Sequence, residues 1–262
     1  MPVKTLERRL WLPFPIRRKS HSYEVGLLWH SEERPDDKLQ QATAAVASLV
    51  KTLQRKDQLK MYEDVILREY GELNAIEKEP CPESPGYYLP HHAVIRAEAV
   101  TTKVRVVFNA SASMKGKKSL NAVLDPGPSL LPDLTGLILR LREYEHAVQA
   151  DIRKAFFMIE VREEDRKYLR FLWPATKGQM EVYQLKKLPF GTNCSPFILN
   201  AVLSHHLQEE RKSATEDVQV IIDLLQRSFY VDDCLTSLST HEKLLFFQHV
   251  SRALLLNAGM DL

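Results

Sequence analysis

The chain has little of what marks a stapled, secreted or membrane-spanning protein. Of its 262 residues only 3 are cysteine, Cys81, Cys194 and Cys234. They are odd in number, far apart and free of any C-x-x-C spacing, which argues against a disulfide framework or a cysteine zinc site and fits reduced thiols. Glycine is scarce, at 9 against 14 proline, and neither recurs with a period, so collagen and low-complexity polymers are excluded. Long apolar runs are missing: stretches such as Ala253-Leu-Leu-Leu256 fall far short of the roughly 20 residues that a membrane helix needs. The N-terminus, Met-Pro-Val-Lys-Thr-Leu-Glu-Arg-Arg, lacks an apolar core followed by a small-residue cleavage site, so an intracellular and by default cytoplasmic protein is expected. An excess of one charge is missing too. Lys and Arg number 36 against 34 Asp and Glu, a formal +2, and whole-chain electrostatics does not dictate a polyanion partner.

What is present is an ordinary globular composition, 44% hydrophobic and 27% charged, long enough to bury a sizeable core. Its charge is unevenly placed. Residues 1–21 carry Lys4, Arg8, Arg9, Arg17, Arg18 and Lys19 against Glu7, and residues 93–120 carry Arg96, Lys103, Arg105, Lys115, Lys117 and Lys118 against Glu98. Each run reads either as a phosphate-contacting surface or as a solvated basic face.

Apolar positions at three- and four-residue steps predict two helices between Lys38 and Leu73, broken near Lys56-Asp57. Pro80, Pro82, Pro85 and Gly86 then form a helix-incompatible connector. Ala93–Arg96 and Lys103–Phe108 are β-prone and predict a hairpin with a polar tip over Ala97–Thr102. Residues 113–133 read as loop, Leu134–Tyr144 as helix and His146–Ala150 as strand. A second hairpin is expected from Tyr168–Trp173 and Met180–Leu185 around Pro174–Gly178, then helices over Pro196–Arg211 and Asp217–Gln226. Phe229–Val231 and Leu235–Ser237 flank Asp232-Asp233 as a third hairpin, and Ser239-x-x-Glu242 has the spacing of a capping box for a last helix ending near Gly259. Helices mixed with hairpins, without βαβ repeats, predict an α+β fold with an antiparallel sheet flanked by helices.

Tyr230-Val-Asp-Asp233 concentrates two carboxylates at a turn between apolar strands, and Asp151 ends the strand that starts at His146. If those strand ends are neighbours, three carboxylates converge. Hard oxygen donors without His or Cys suit Mg²⁺, with Mn²⁺ also possible; a solvated turn is the plainer alternative for the Asp pair taken alone.

An ordered series of motifs carries a resemblance. The series is Tyr87-Tyr-Leu-Pro-His-His92, Val104-Arg-Val-Val-Phe-Asn-Ala-Ser111, Ser119-Leu-Asn121, Gln149-Ala-Asp-Ile-Arg-Lys-Ala-Phe156, Leu188-Pro-Phe-Gly191 with Ser195-Pro196, and Tyr230-Val-Asp-Asp233. From about Tyr23 onward the chain resembles reverse transcriptases, and among them the polymerase segment of Bel/Pao-type LTR retrotransposon polyproteins. The resemblance implies a right-hand polymerase fold: an N-terminal basic and helical region at 1–80, a fingers-like region at 81–145 and an incomplete palm at 146–262, without thumb or RNase H. It implies RNA-directed DNA polymerase activity with two Mg²⁺ ions, and as partners an RNA or DNA template-primer and deoxynucleoside triphosphates, with no membrane. By the same resemblance Asp151, Asp232 and Asp233 are catalytic and hold metal, with Ile152 offering its backbone carbonyl. Arg105 and Lys103 contact the incoming triphosphate, Phe156 packs under the sugar, Phe190 and Gly191 line the nucleotide pocket, and Tyr230 and Val231 lie beside the primer terminus. Three positions depart from common patterns: Asn109 where Asp is frequent, Lys154 where an acid is frequent, and Phe190 where retroviral relatives commonly carry Gln. A catalytically inactive nucleic-acid-binding remnant, and more distantly a metal-dependent nuclease, stay open as alternatives.

Overall fold

The structure is a computed structural model that describes residues 15–96, 98, 104–113, 116–175 and 179–262. Lys103, Lys115, Lys4, Arg8 and Arg9, most of the expected hairpin tip, and residues 176–178 of the expected turn lie outside the described residues.

In chain order the strands are β1 (Arg17–Arg18), β2 (Tyr23–Val25), β3 (Ile76–Lys78), β4 (His91–Ile95), β5 (Val104–Phe108), β6 (His146–Asp151), β7 (Ile159–Val161), β8 (Arg170–Pro174), β9 (Met180–Leu185), β10 (Phe229–Tyr230) and β11 (Asp233–Leu238). The helices are α1 (Leu39–Arg55), α2 (Leu59–Glu63), α3 (Tyr70–Glu72), α4 (Leu120–Val123), α5 (Leu134–Leu141), α6 (Glu163–Arg166), α7 (Ser195–Arg211), α8 (Glu216–Gln226) and α9 (His241–Leu256). A π-helical run, Asp64–Glu69, joins α2 to α3, and a 3₁₀ turn covers Ala155–Met158. The antiparallel character expected from the hairpins is present, but the strands divide into several small sheets. Two compact units result. One gathers the described residues up to Val25 with Gly127–Ile159 and Pro196–Leu262; the other holds Gly26–Pro126 and Glu160–Ser195.

In the second of these units α1 lays Ala42 and Val46 against Tyr88 and Leu172, the apolar stripe that its spacing predicted. The helix stops where expected, and Asp57 adopts a left-handed φ of 55° that a short polar residue tolerates. Strand β9 pairs with both β3 and β8, and β4 pairs with β5 in the register Val94↔Arg105. Along β5 burial alternates: Val104, Val106 and Phe108 face inward and Arg105 faces solvent. The loop expected at 113–133 contains α4, whose cap Ser119 accepts a hydrogen bond from the Ala122 amide at 3.2 Å. Four residues are too few for a helical period to register in the sequence.

His91 sits in the core of this unit. Its Nε2 faces the Leu172 carbonyl at 3.0 Å and so carries the proton, which leaves Nδ1 to accept from the Tyr62 hydroxyl at 2.6 Å. Burial, outweighing that carbonyl and aided by His92, pushes its pKa from 6.5 down to about 4. The unfolded chain therefore binds a proton that the folded chain refuses, and stability falls as pH drops from about 6.5 towards 4. The loss from this group is expected to reach about 3 kcal/mol. Thermal melts between pH 7 and pH 4 check it: His91→Gln should show a shallower fall than wild type, and an equal slope would remove His91 as the cause. The other unit repeats the arrangement, with the Tyr23 hydroxyl 3.0 Å from His206 Nδ1 and His206 Nε2 2.7 Å from the Leu254 carbonyl.

In that unit β11 lies between β10 and β6, and α5 and α9 pack against β11. The last helix is capped by Thr240, whose hydroxyl accepts from the Lys243 amide at 3.2 Å. The cap thus falls one residue after the Ser239 that the capping-box spacing suggested, because β11 runs on to Leu238 and Thr240 is the residue with an extended backbone at the helix start.

Candidate active site

Strands β10 and β11 pair Phe229↔Cys234 and Tyr230↔Asp233, so Val231 and Asp232 alone form the turn. Val231 takes a φ of 61°, a conformation that suits glycine and costs a β-branched residue on the order of 1–3 kcal/mol. Buried Phe229 and Cys234 hold the hairpin in place against that strain. Strand β6 then runs antiparallel along β11 with Asp151 directly opposite Asp233. Directly opposed residues project from the same face of a sheet, so two carboxylates stand side by side on one strand pair and the third lies in the adjoining turn.

The backbone fixes this end of the sheet tightly. The Ile152 amide donates to the Asp232 carbonyl at 3.1 Å, and the Arg153 amide donates to the Asp261 carbonyl at 2.9 Å. Ile152 is fully buried, and its carbonyl accepts from the Ala155 amide at 3.2 Å, which leaves one lone pair for another partner. Asp232 has its pKa raised by burial and by the neighbouring Asp233 charge, partly offset by a backbone hydrogen bond. Phe156 is buried in the 3₁₀ turn that follows β6, just after Lys154 at a left-handed φ of 51°.

Among the described residues no three His, Cys, Asp or Glu side chains are gathered closely enough to hold a metal ion as they stand. The donor set nevertheless fits a hard divalent cation. It consists of carboxylate oxygens and a backbone carbonyl, and a bound cation would favour the ionised form of Asp232 that burial, and to a lesser degree the Asp233 charge, disfavours.

The other unit carries Arg105, Phe190 and Gly191. Arg105 is exposed on the outer face of β5, and Phe190 is 47% exposed. Gly191 has a φ of 106°, and a Cβ added there would lie 2.2 Å from the Phe108 carbonyl oxygen. No residue but glycine fits this approach of the turn to the end of β5. Much of the described part of the basic runs is neutralised locally: Arg18 pairs with Glu210 at 3.1 Å, Lys19 with Glu24 at 2.8 Å and Lys118 with Glu33 at 2.6 Å. Asp151, Ile152, Phe156, Tyr230, Val231, Asp232 and Asp233 thus belong to one unit, and Arg105, Phe190 and Gly191 to the other. Sequence reasoning gave no role to Asn121, although it noted the Ser119-Leu-Asn121 motif; the structure ties that side chain to the Gly191 turn.

A sequence profile described as "Reverse transcriptase (RNA-dependent DNA polymerase)" matches residues 97–262, well over half of the chain and every one of these positions. The chain belongs to the reverse transcriptase family. Members of this family are nucleotidyltransferases that generally use divalent metals. Among similar reverse transcriptase polyproteins, the Gag-Pol polyprotein of Rous sarcoma virus subgroup B (strain Schmidt-Ruppin) is 31% identical over 96 residues, 36% of this chain and 6% of that protein. The Gag-Pol polyprotein of Avian leukosis virus subgroup A (isolate RSA) matches with the same identity and coverage. A solved foamy viral protease-reverse transcriptase in complex with double-stranded DNA superposes with a TM-score of 0.59 at 15% identity, over 94% of this chain and 35% of that one. The fold is therefore that of a reverse transcriptase fingers and palm region. The chain spans a small part of those polyproteins and about a third of that structure. No helix among the described residues is long and apolar enough to cross a membrane.

Proposed function

We propose that this chain is the fingers and palm part of a reverse transcriptase from a Bel/Pao-type LTR retrotransposon polyprotein, and that it adds deoxynucleotides to a primer 3′-hydroxyl on an RNA or DNA template. The observation that carries the reading is the direct opposition of Asp151 and Asp233 with Asp232 in the adjoining turn. Asp151, Asp232 and Asp233, with the free lone pair of the Ile152 carbonyl, are the groups that would hold Mg²⁺ or Mn²⁺. Such ions, when bound, supply Lewis-acid activation of the attacking hydroxyl and charge stabilisation for the departing pyrophosphate.

The remaining roles belong to the chain's own side chains. Arg105, exposed and permanently charged, binds the triphosphate through its fork of donors, joined by Lys103 two residues earlier in the sequence. Phe156 packs under the sugar and excludes a 2′-hydroxyl. Phe190 gives the pocket an apolar wall, Gly191 lets the backbone approach the nucleotide, and Tyr230 and Val231 support the primer terminus. The unit holding β4 and β5 corresponds to fingers, and the unit holding β6, β10 and β11 to palm. The three free cysteines suit an intracellular setting.

The test is primer extension on a poly(rA) template with an oligo(dT) primer, Mg²⁺ and dTTP, comparing this chain with its Asp233→Asn variant. Incorporation by wild type alone is the expected result. Equal incorporation by the variant would overturn the assignment, and a folded wild type that binds template without extending it would identify a non-catalytic remnant.

A further inference from the structure

We infer that Asn121 is a positioning residue for the incoming deoxynucleoside triphosphate: it clasps the Phe190-Gly191 turn to the end of β5, and so sets that turn against the strand that carries Arg105. The inference rests on the polymerase reading above and goes beyond it, since Asn121 reaches no reacting atom itself.

The geometry lies wholly within one compact unit. Asn121 Nδ2 donates to the Gly191 carbonyl at 3.0 Å and to Ser111 Oγ at 2.8 Å. Its Oδ1 accepts from the Asn193 amide at 2.9 Å, and its own carbonyl accepts from Asn193 Nδ2 at 3.0 Å. Its amide donates to the Ala110 carbonyl at 3.0 Å. One residue therefore bonds to the loop that leaves β5 and to the peptide groups on both sides of Thr192, the Gly191 carbonyl and the Asn193 amide. Both amide donors of the side chain are used, in opposite roles from its oxygen, and only a primary amide offers that combination at this length.

The clasp is anchored at both ends. Leu120, next to Asn121, is fully buried, and Ser119 caps α4. On the turn side Ser195 Oγ donates to the Pro189 carbonyl at 2.7 Å. Between them Gly191 passes so close to the Phe108 carbonyl that no Cβ fits. Such contact leaves the turn nowhere to relax inward, so its remaining freedom is to lift away from β5. The hydrogen bond from Asn121 to the Gly191 carbonyl opposes that motion. If the turn lifts, the surface that Phe190 and Gly191 offer a nucleotide moves relative to Arg105, while the carboxylates, which are in the other unit, keep their pairing. Loss of the clasp should therefore weaken nucleotide binding more than it slows the chemical step.

The experiment uses the full chain on a template-primer whose primer ends in a dideoxynucleotide, so that dTTP binds in Mg²⁺ without transfer. Asn121→Ala is expected to weaken dTTP binding about tenfold, the effect of losing a hydrogen-bond bridge. Affinity for the template-primer should stay at the wild-type value, and with an extendable primer the KM for dTTP should rise while kcat changes little. Asn121→Asp keeps the acceptor for the Asn193 amide and loses both donors, so it should show the same split, and it decides the matter if the alanine variant does not fold. A folded variant that binds dTTP as wild type does, or that loses template-primer affinity in equal measure, would overturn the inference and leave the polymerase reading standing. A folded wild type that binds no dTTP would overturn both.

Discussion

Asp232→Asn is expected to abolish nucleotide incorporation, lowering it by about a thousandfold or more, and at the same time to raise the melting temperature of the metal-free protein. The first effect follows from removing one carboxylate of the group that would hold the ions, whose charge stabilisation amounts to several kcal/mol of barrier. The second follows from the state of Asp232 in the fold. Burial and the Asp233 charge raise its pKa above the ordinary carboxylate value. A carboxyl whose folded-state pKa is raised contributes stability below its unfolded pKa and loses it as pH rises through the folded value, so at neutral pH the ionised group is a liability. Asparagine keeps the shape and removes the charge. The gain in melting temperature should therefore shrink as pH is lowered through the carboxylate range, where wild-type Asp232 becomes neutral as well. Added Mn²⁺ should stabilise wild type by binding the native state, and the variant much less. A variant that still incorporates dTTP, or that melts below wild type, would make Asp232 a structural turn residue.

The same hairpin shows how far a sequence reaches. Two aspartates bracketed by Phe229-Tyr230 and Leu235 are legible as a carboxylate-rich turn, because apolar flanks and turn formers are local signals. The pairing of Asp233 with Asp151 is not local. It depends on which strand β11 selects from a distant part of the chain, and only the family motifs pointed to it before the register was known. The longer helices were legible from local signals too, α1 and α8 by their apolar spacing, α7 by the proline at its start and α9 by the capping-box spacing. The elements that escaped are short. Strands β1, β2, β3 and β7 hold two or three residues each, too few to alternate, and β3 exists because Ile76 finds Leu185 across a long separation. The π-helical run at Asp64–Glu69 has no sequence signature of its own.

Polar residues were misjudged most, because their roles are set by partners rather than by type. Asn121 lies in a segment that reads as loop, and only its long-range bonds reveal a bridge. Arg18 and Lys118 read as free basic surface, yet each has an acidic partner far along the chain. Arg170 lies in the expected strand Tyr168–Trp173, which gave its side chain no role; it is fully buried.

That burial gives the largest stability effect expected of a single side chain here. Arg170 Nε donates to Glu79 Oε2 at 2.7 Å, with the two side chains 1% and 5% exposed. Its Nη1 donates to the Ser84 carbonyl at 2.7 Å, and Nη2 to Ser84 Oγ at 2.6 Å and to the Cys81 carbonyl at 3.3 Å. The proline-rich stretch that sequence patterning read as a bare connector is thus wrapped around one guanidinium, and a Cβ on Gly86 would come within 2.6 Å of it. Arg170→Ala leaves the Glu79 carboxylate buried without its cation and strands the loop carbonyls, at an expected cost of about 3–5 kcal/mol. At roughly 2–4 °C per kcal/mol for a chain of this size, thermal melts resolve such a loss easily. Arg170→Lys should recover only part, because an ammonium matches the Glu79 contact but not the fork that reaches Ser84 and Cys81. Pairing Arg170→Met with Glu79→Gln should cost less than Arg170→Ala alone, since no unpaired charge is left behind. If the double variant instead melts lower than Arg170→Ala, the loop contacts, and not the charge pair, carry the stability of this region.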